Sequence, residues 1–286
     1  MKNKSLGSTV ADILIYTFLI VVMIIMVAPF WNIVVSSFAP NSEIVSNPFL
    51  LFSKRFTLDA YKNIFGSGMT TIRALGVSIW VTAVSTIISM VLTTTTAYAL
   101  SFRYLFGRKY ILGGIIFTMI FNPGIIAYYL AFQGYGMMDK YISIILPNAI
   151  SVFYLLLMKN FFQQIPEEMK EAATIDGCSL LGIFARIILP LSKPALATFT
   201  LFYMVDRWNS YFDAMMYLST PSKWPITVLL RQIVMMSQSS NIEEVVISPV
   251  ALRMATIVIA VVPILGVYPF LQKYFQSGLM AGSIKG

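Results

Sequence analysis

Long apolar runs alternate with short polar links along the whole chain. Six runs have the roughly 20 residues that cross about 30 Å of hydrocarbon as a helix. They predict spans at about Asp12–Ser37, Ile72–Leu100, Tyr110–Ala131, Tyr141–Phe162, Ala195–Leu218 and Ala251–Tyr274. The connection "APNSEIVSNPFLLFSKRFTLDAYKNIFGSGM" is too charged, and too broken by Pro and Gly, to be a span. In "STPSKWPITVLLRQIVMMSQSSNIEEVVISP" the middle part suits an amphipathic helix or a re-entrant segment. The run from Ile13 to Val35 exceeds the 7–15 residues of a signal-peptide core, so it reads as a retained first span. The pattern predicts an all-α membrane protein with one transmembrane domain over residues 1–286.

Composition agrees. Of 286 residues, 58% are hydrophobic and 11% charged, against about 25% charged in soluble domains. The net charge is +8, without a basic, aromatic-interleaved block of the nucleic-acid kind. Short connections carry the orientation signal: Lys2 and Lys4, then Arg103, Arg108 and Lys109, then Lys140 alone. By the positive-inside rule they put both termini and the connection 163–194 in the cytoplasm. Lys54, Arg55, Lys62, Lys223 and Arg231, in the outer connections, temper that signal. There is no histidine, one cysteine (Cys178) and no Walker-type phosphate loop. Histidine-based catalysis and an intrachain disulfide are thereby excluded, and the usual phosphate cradle of an ATPase is lacking.

The charged stretch "EEMKEAATIDGCSLLGIFARIILPLSKPA" lies between spans four and five. Pro166 suits a first helical turn, where Glu167 and Glu168 meet the positive end of the dipole. Ile165, Met169, Ala172 and Ile175 recur at helical spacing as one apolar face. Gly177 is placed to end that helix, and Ser179 to cap a second. On these residues alone the pair is either an interfacial link or a docking element for a soluble partner.

Glu171-Ala172-Ala173, three residues, Gly177, nine residues, then Ile187-Ile188-Leu189-Pro190 resemble the "EAA" loop of ABC importer permeases, ungapped. The segments "RFTLDAYKNIF", "LPNAISVFYLLLMKNFFQQIPEEMKEAATIDGCS" and "WNSYFDAMMYL" are similar to the maltose-permease type, in its polysaccharide and oligosaccharide branch. The resemblance implies a type I importer permease fold in the plasma membrane of a prokaryote. It implies a cytoplasmic coupling helix in which Glu168, Glu171, Ala172, Ala173, Asp176, Gly177, Ile187, Leu189 and Pro190 serve an ATPase. The ending "GLMAGSIKG" is similar to an ATPase-contacting tail, which would include Gly282, Lys285 and Gly286. The implied partners are a second permease subunit in a heterodimer, two cytosolic ATPase subunits and an extracytoplasmic sugar-binding protein. This chain would do no chemistry and hold no cofactor, with ATP and Mg on the ATPase subunits. The alternatives are an importer permease for a non-sugar solute and an ion-driven carrier.

Two places suggest a substrate route. Asn122-Pro123-Gly124 interrupts span three and frees backbone carbonyls, which marks either a transport site or a packing kink. In span five, Asp206, Arg207, Asn209 and Asp213 are costly in lipid and must face protein or water. With Trp208 and Tyr211 beside them they either line the route or lock spans together. The stripe Ser78, Thr82, Ser85, Ser89 and Thr93 in span two suits close helix packing.

Overall fold

The computed structural model describes residues 6–66, 70–239 and 249–282, and every regular element among them is a helix or a helical turn. In chain order they are α1 (Leu6–Ser37), α2 (Asn41–Ser46), α3 (Asp59–Gly66), α4 (Thr70–Ser101), α5 (Arg108–Ile120), α6 (Gly124–Gly134), α7 (Ile142–Ile145), α8 (Val152–Gln163), α9 (Glu167–Ile175), α10 (Leu180–Ile183), α11 (Leu189–Leu191), α12 (Lys193–Asn209), α13 (Tyr211–Tyr217), α14 (Ile226–Ser239) and α15 (Pro249–Gly282). The chain divides into two compact units, Met1–Thr71 with Leu230–Val262, and Ile72–Leu229 with Pro263–Gly286.

In the first unit the connection after α1 folds on itself. Ala39, Ile44, Leu50, Ala60 and Ile64 form a small core with Ala251 and Ala255. Phe38 stacks on Phe56 and Tyr61 at 5.0 and 4.9 Å. The Glu43 carboxylate accepts from the Ser53 hydroxyl and the Lys54 N–H at 2.8 and 2.9 Å. Val35 of α1 packs against this core, whereas most apolar side chains from Val10 to Val34 are exposed, as suits a helix whose solvent is lipid.

Three helical stretches, Val10–Ser37, Thr70–Ser101 and Val250–Val267, are each long and apolar enough to cross a membrane unbroken. The other expected spans depart from straight helices. Span three bends by 112° between α5 and α6. Pro123 lacks a donor, Gly124 takes φ +82°, and the Asn122 Oδ1 accepts the Gly124 N–H at 2.9 Å. Span five is not one helix over 195–218. It begins at Lys193, breaks at Ser210 and resumes as α13. At the break the Ser210 hydroxyl donates to the Asp213 carboxylate at 3.1 Å, a local bond that competes with helix continuation. The 14 residues of α14 are too short to span about 30 Å.

Span four departs most. The run expected as one helix over 141–162 holds only the short α7 and then α8, separated by non-helical backbone at 146–151. Pro147 removes one donor and obstructs the turn before it. Freed carbonyls within an apolar run need donors from protein or from water in a cavity, and α12 supplies them. The Arg207 guanidinium donates to the Asn148 carbonyl and, at 3.5 Å, to the Ile144 carbonyl. The Tyr203 hydroxyl accepts the Ser151 N–H at 3.0 Å and pairs with the Thr93 hydroxyl of α4 at 2.7 Å. Arg207 and Tyr203 are both buried.

Two apolar clusters sit toward the two ends of α4. One gathers Ala97 and Leu100 of α4 with Leu155, Met158 and Phe162 of α8 and Phe199 of α12. The other gathers Val81 of α4 with Phe132, Ile144, Ala214, Tyr217 and Val228. Sixteen helical residues separate Val81 from Ala97, about 24 Å. Between them Ser85, Ser89 and Thr93 are fully buried. The small polar stripe is therefore a packing face, and at its end the Ser78 hydroxyl accepts the Ile226 N–H at 2.8 Å. Beyond the Val81 cluster, Asp139 ties two connections together. Its carboxylate accepts from the Lys223 ammonium at 2.6 Å, the Thr220 hydroxyl at 2.7 Å and the Thr220 N–H at 3.0 Å.

Two outcomes are expected. Arg207→Met strands the Ile144 and Asn148 carbonyls, costing about 1–3 kcal/mol, and should lower the thermal unfolding midpoint of the detergent-purified chain. At Asp139, the hydrogen bonds from Lys223 and Thr220 hold the carboxyl well below the ordinary carboxylate range. A depressed folded-state pKa gives stability that is fully present above the unfolded value of about 3.9 and is lost as pH falls below it. The unfolding midpoints of wild type and Asp139→Asn should therefore differ by a constant amount at neutral pH and converge as pH falls below about 4.

Candidate functional site: a helical elbow and two cavities

The predicted helix pair is present. Pro166 precedes α9, whose first turn carries Glu167 and Glu168. At its C-terminus the Cys178 N–H bonds the Ala173 carbonyl at 2.9 Å and the Gly177 N–H bonds the Thr174 carbonyl at 3.0 Å. This is the paired pattern of a Schellman stop, and Gly177 occupies its left-handed position at φ +79°. Ser179 then caps α10, its hydroxyl accepting the Gly182 N–H at 3.2 Å. The second helix runs through a π-helical turn, Phe184–Ile188, into α11. The combined Leu180–Leu191 meets α12 at an 83° bend.

One side of this elbow is rooted in the protein. Ala173, Ile183, Phe184 and Ile188 join the cluster of α4, α8 and α12, with Ile187 and Leu189 packed against it. Tyr98 of α4 stacks on Phe184 at 4.8 Å and donates its hydroxyl to the Leu180 carbonyl at 3.0 Å. The Gln163 amide donates to the Ser101 carbonyl at 3.1 Å. The opposite side is bare. Glu168, Glu171, Ala172, Asp176, Gly177 and Pro190 are exposed. So are Met169, Ile175, Leu180 and Leu181, with Ile175 at 86%. The expected apolar face of α9 therefore divides: Ile165 is buried, whereas Met169, Ala172 and Ile175 point away from the protein. Ala173, not Ala172, is the small residue that lets α9 approach its own core.

The elbow leads directly to the substrate-route candidates, because α12 is its continuation. Two open cavities adjoin there and share Asn148. The first, about 250 Å³, includes Asn122, Tyr128, Phe132, Asn148, Phe212 and Asp213 in its wall. The second, about 310 Å³, includes Ser151, Tyr203, Asp206 and Arg207. Asp213 accepts from the Asn148 amide at 3.3 Å as well as from Ser210. Asp206 accepts from the Tyr154 hydroxyl of α8 at 2.9 Å. Asn122, Asp206 and Asp213 thus meet on adjoining walls, although 84 to 91 residues separate the first from the others.

The remaining candidates lie elsewhere. Trp208 is buried beside Ser78 and Thr82. The Asn209 amide donates to the Val205 carbonyl of its own helix at 2.9 Å. Tyr211 packs against the Val81 cluster. Gly282 ends α15, and Lys285 and Gly286 lie outside the described residues. Sequence reading missed Asn148, Tyr128, Phe132 and Phe212. The available signal was Pro147-Asn148, a helix-breaking pair inside an apolar run, of the same kind as Asn122-Pro123-Gly124.

Comparison with known proteins agrees with this architecture. Residues 96–280 match the family described as binding-protein-dependent transport system inner membrane component. Protein LplC of Bacillus subtilis (strain 168) is 45% identical over 100% of this chain and 98% of its own length. The polygalacturonan/rhamnogalacturonan transport system permease protein YtcP of the same organism is 46% identical over the full length of both chains. Among solved structures, a chain of a bacterial ABC transporter involved in the import of the acidic polysaccharide alginate superposes with a TM-score of 0.88. That chain is 29% identical, and the match covers 96% of this chain and 100% of the other. With a bare helical elbow, broken spans and a family match over most of its length, the chain belongs to the inner-membrane components of binding-protein-dependent transport systems.

Proposed function

We propose that this chain is the translocation subunit of an ATP-driven importer of oligosaccharides or polysaccharide fragments. A second permease subunit, two cytosolic ATPase subunits and an extracytoplasmic sugar-binding protein complete the machine. ATP and Mg belong to the ATPase subunits. The substrate class follows the carbohydrate systems named for the relatives. Both termini and the elbow are assigned to the cytoplasm. The basic connection with Arg103, Arg108 and Lys109 supports this, since it adjoins the same α4 end as the elbow. The connections joined by Asp139 then belong outside.

The observation that carries the reading is the elbow itself, with one face buried in the helix bundle and the other presenting carboxylates around exposed apolar side chains. The bare face suits a cleft with basic and apolar walls on an ATPase subunit. When the ATPase subunits close on ATP, a push on α9 passes through the Ala173 contact to Ile183, Phe184 and Ile188. From there it turns the corner at Ser192 into α12. Because α12 holds the broken backbone of span four through Arg207 and Tyr203, moving α12 moves the cavity walls. Switching such a gate from 1:99 to 99:1 takes about 5.5 kcal/mol of differential binding, all of it delivered through this contact.

Two experiments test this. Affinity purification of the tagged chain from its native membrane should bring down an ABC ATPase, and Ile175→Asp should abolish that capture while leaving the chain in the membrane. Gly177→Val forces a β-branched residue to φ +79°, at a cost of about 1–2 kcal/mol. In the reconstituted importer it should cut binding-protein-stimulated ATP hydrolysis and oligosaccharide uptake together. Full uptake in both variants would refute the coupling assignment.

A further inference from the structure

The charge of the cavity walls bears on which sugars pass. The cavity of about 250 Å³ is smaller than the roughly 300 Å³ at which pockets for drug-sized ligands begin, so it suits one sugar ring. Tyr128, Phe132, Phe212 and Tyr217 offer aromatic surface to the C–H faces of such a ring. Asn122, Asn148 and Asp213 offer polar atoms to its hydroxyls. A carboxylate has about four acceptor positions. Asp213 uses two of them on Asn148 and Ser210, so it retains capacity for hydroxyl donors.

No cation lines this cavity among the described residues. In the adjoining one, Asp206 stands beside Arg207, whose guanidinium donates to the Asn148 and Ile144 carbonyls. Two carboxylates therefore face one guanidinium that is held by backbone. A carboxylate on the passing ring would meet like charge beside the protein wall, where repulsion between close charges exceeds that in bulk water.

We propose that the cavity between α6, the 146–151 segment and α13 is a subsite for one uncharged sugar ring and discriminates against uronic acids. The proposal rests on the carbohydrate-importer reading. It sets this chain apart from the acidic polymers named for YtcP and for the alginate transporter.

Saturation-transfer difference NMR on the detergent-purified importer complex, without binding protein, tests it with α-1,4-galactobiose and α-1,4-digalacturonate at pH 7. Galactobiose should bind about tenfold or more tightly than digalacturonate. Asp213→Asn should narrow that ratio, chiefly by improving digalacturonate. Asn122→Asp, which adds a carboxylate to the opposite wall, should widen it. Phe212→Ala should weaken galactobiose. Equal or tighter binding of digalacturonate by the wild type overturns the proposal. So does a ratio unmoved by either charge change, and so does binding of neither disaccharide. Uptake by the reconstituted importer separates the two levels: sugar uptake with an unmoved ratio removes the subsite alone, whereas uptake of only non-sugar solutes removes the carbohydrate reading as well.

Discussion

The bond between the Arg207 guanidinium and the carbonyls of Ile144 and Asn148 is the constraint on which the second compact unit depends. Without it, the freed carbonyls of the non-helical backbone at 146–151 would lose their protein donor, and lipid offers none. With it, a charged side chain and a broken helix satisfy each other. Tyr203 extends the same logic one turn earlier on α12, answering the Ser151 N–H and the Thr93 hydroxyl at once. One face of α12 thus supplies partners for both neighbouring helices. The opening left by the missing helical turns of span four is where the two cavities lie.

The elbow depends on a different economy. Its geometry is written locally, in a Schellman stop at Gly177 and a serine cap two residues later. These fix the angle between α9 and α10 with few long-range contacts. Tertiary packing then anchors only one side, through Ala173, Phe184 and Ile188. The result is a rigid element with an unpartnered surface that mixes carboxylates and apolar side chains. That surface is what the proposed function assigns to a soluble neighbour.

Local features were legible in the sequence. The first two long apolar helices and the last followed from run length, and the elbow from Pro166, Gly177 and Ser179. The Asn122-Pro123-Gly124 break followed from residues that cannot continue a helix. What escaped were consequences of tertiary pairing. Apolar content cannot distinguish a continuous span from one interrupted at Pro147, because the interruption is tolerated only when a distant arginine arrives to meet it. Arg207 read as a charge that either lines the route or locks spans together, whereas it serves backbone carbonyls about 60 residues away in sequence. Asn148 and the aromatic walls of the first cavity were invisible for the same reason. The division of the α9 apolar face into buried Ile165 and outward Met169, Ala172 and Ile175 likewise depends on what α9 rests against, which periodicity does not encode.

The 83° corner at Ser192 joins arms of 12 and 17 residues, about 18 and 26 Å long. A bell-crank of this shape converts thrust along one arm into sideways sweep of the other. Such a crank works in both directions, and binding linkage is reciprocal. On the proposed function, a sugar lodged against Asp206 and Asp213 would therefore bias the tilt of the elbow arm before any nucleotide is spent. An ATPase partner docked there, as proposed, would sense cargo through the same hinge that it drives.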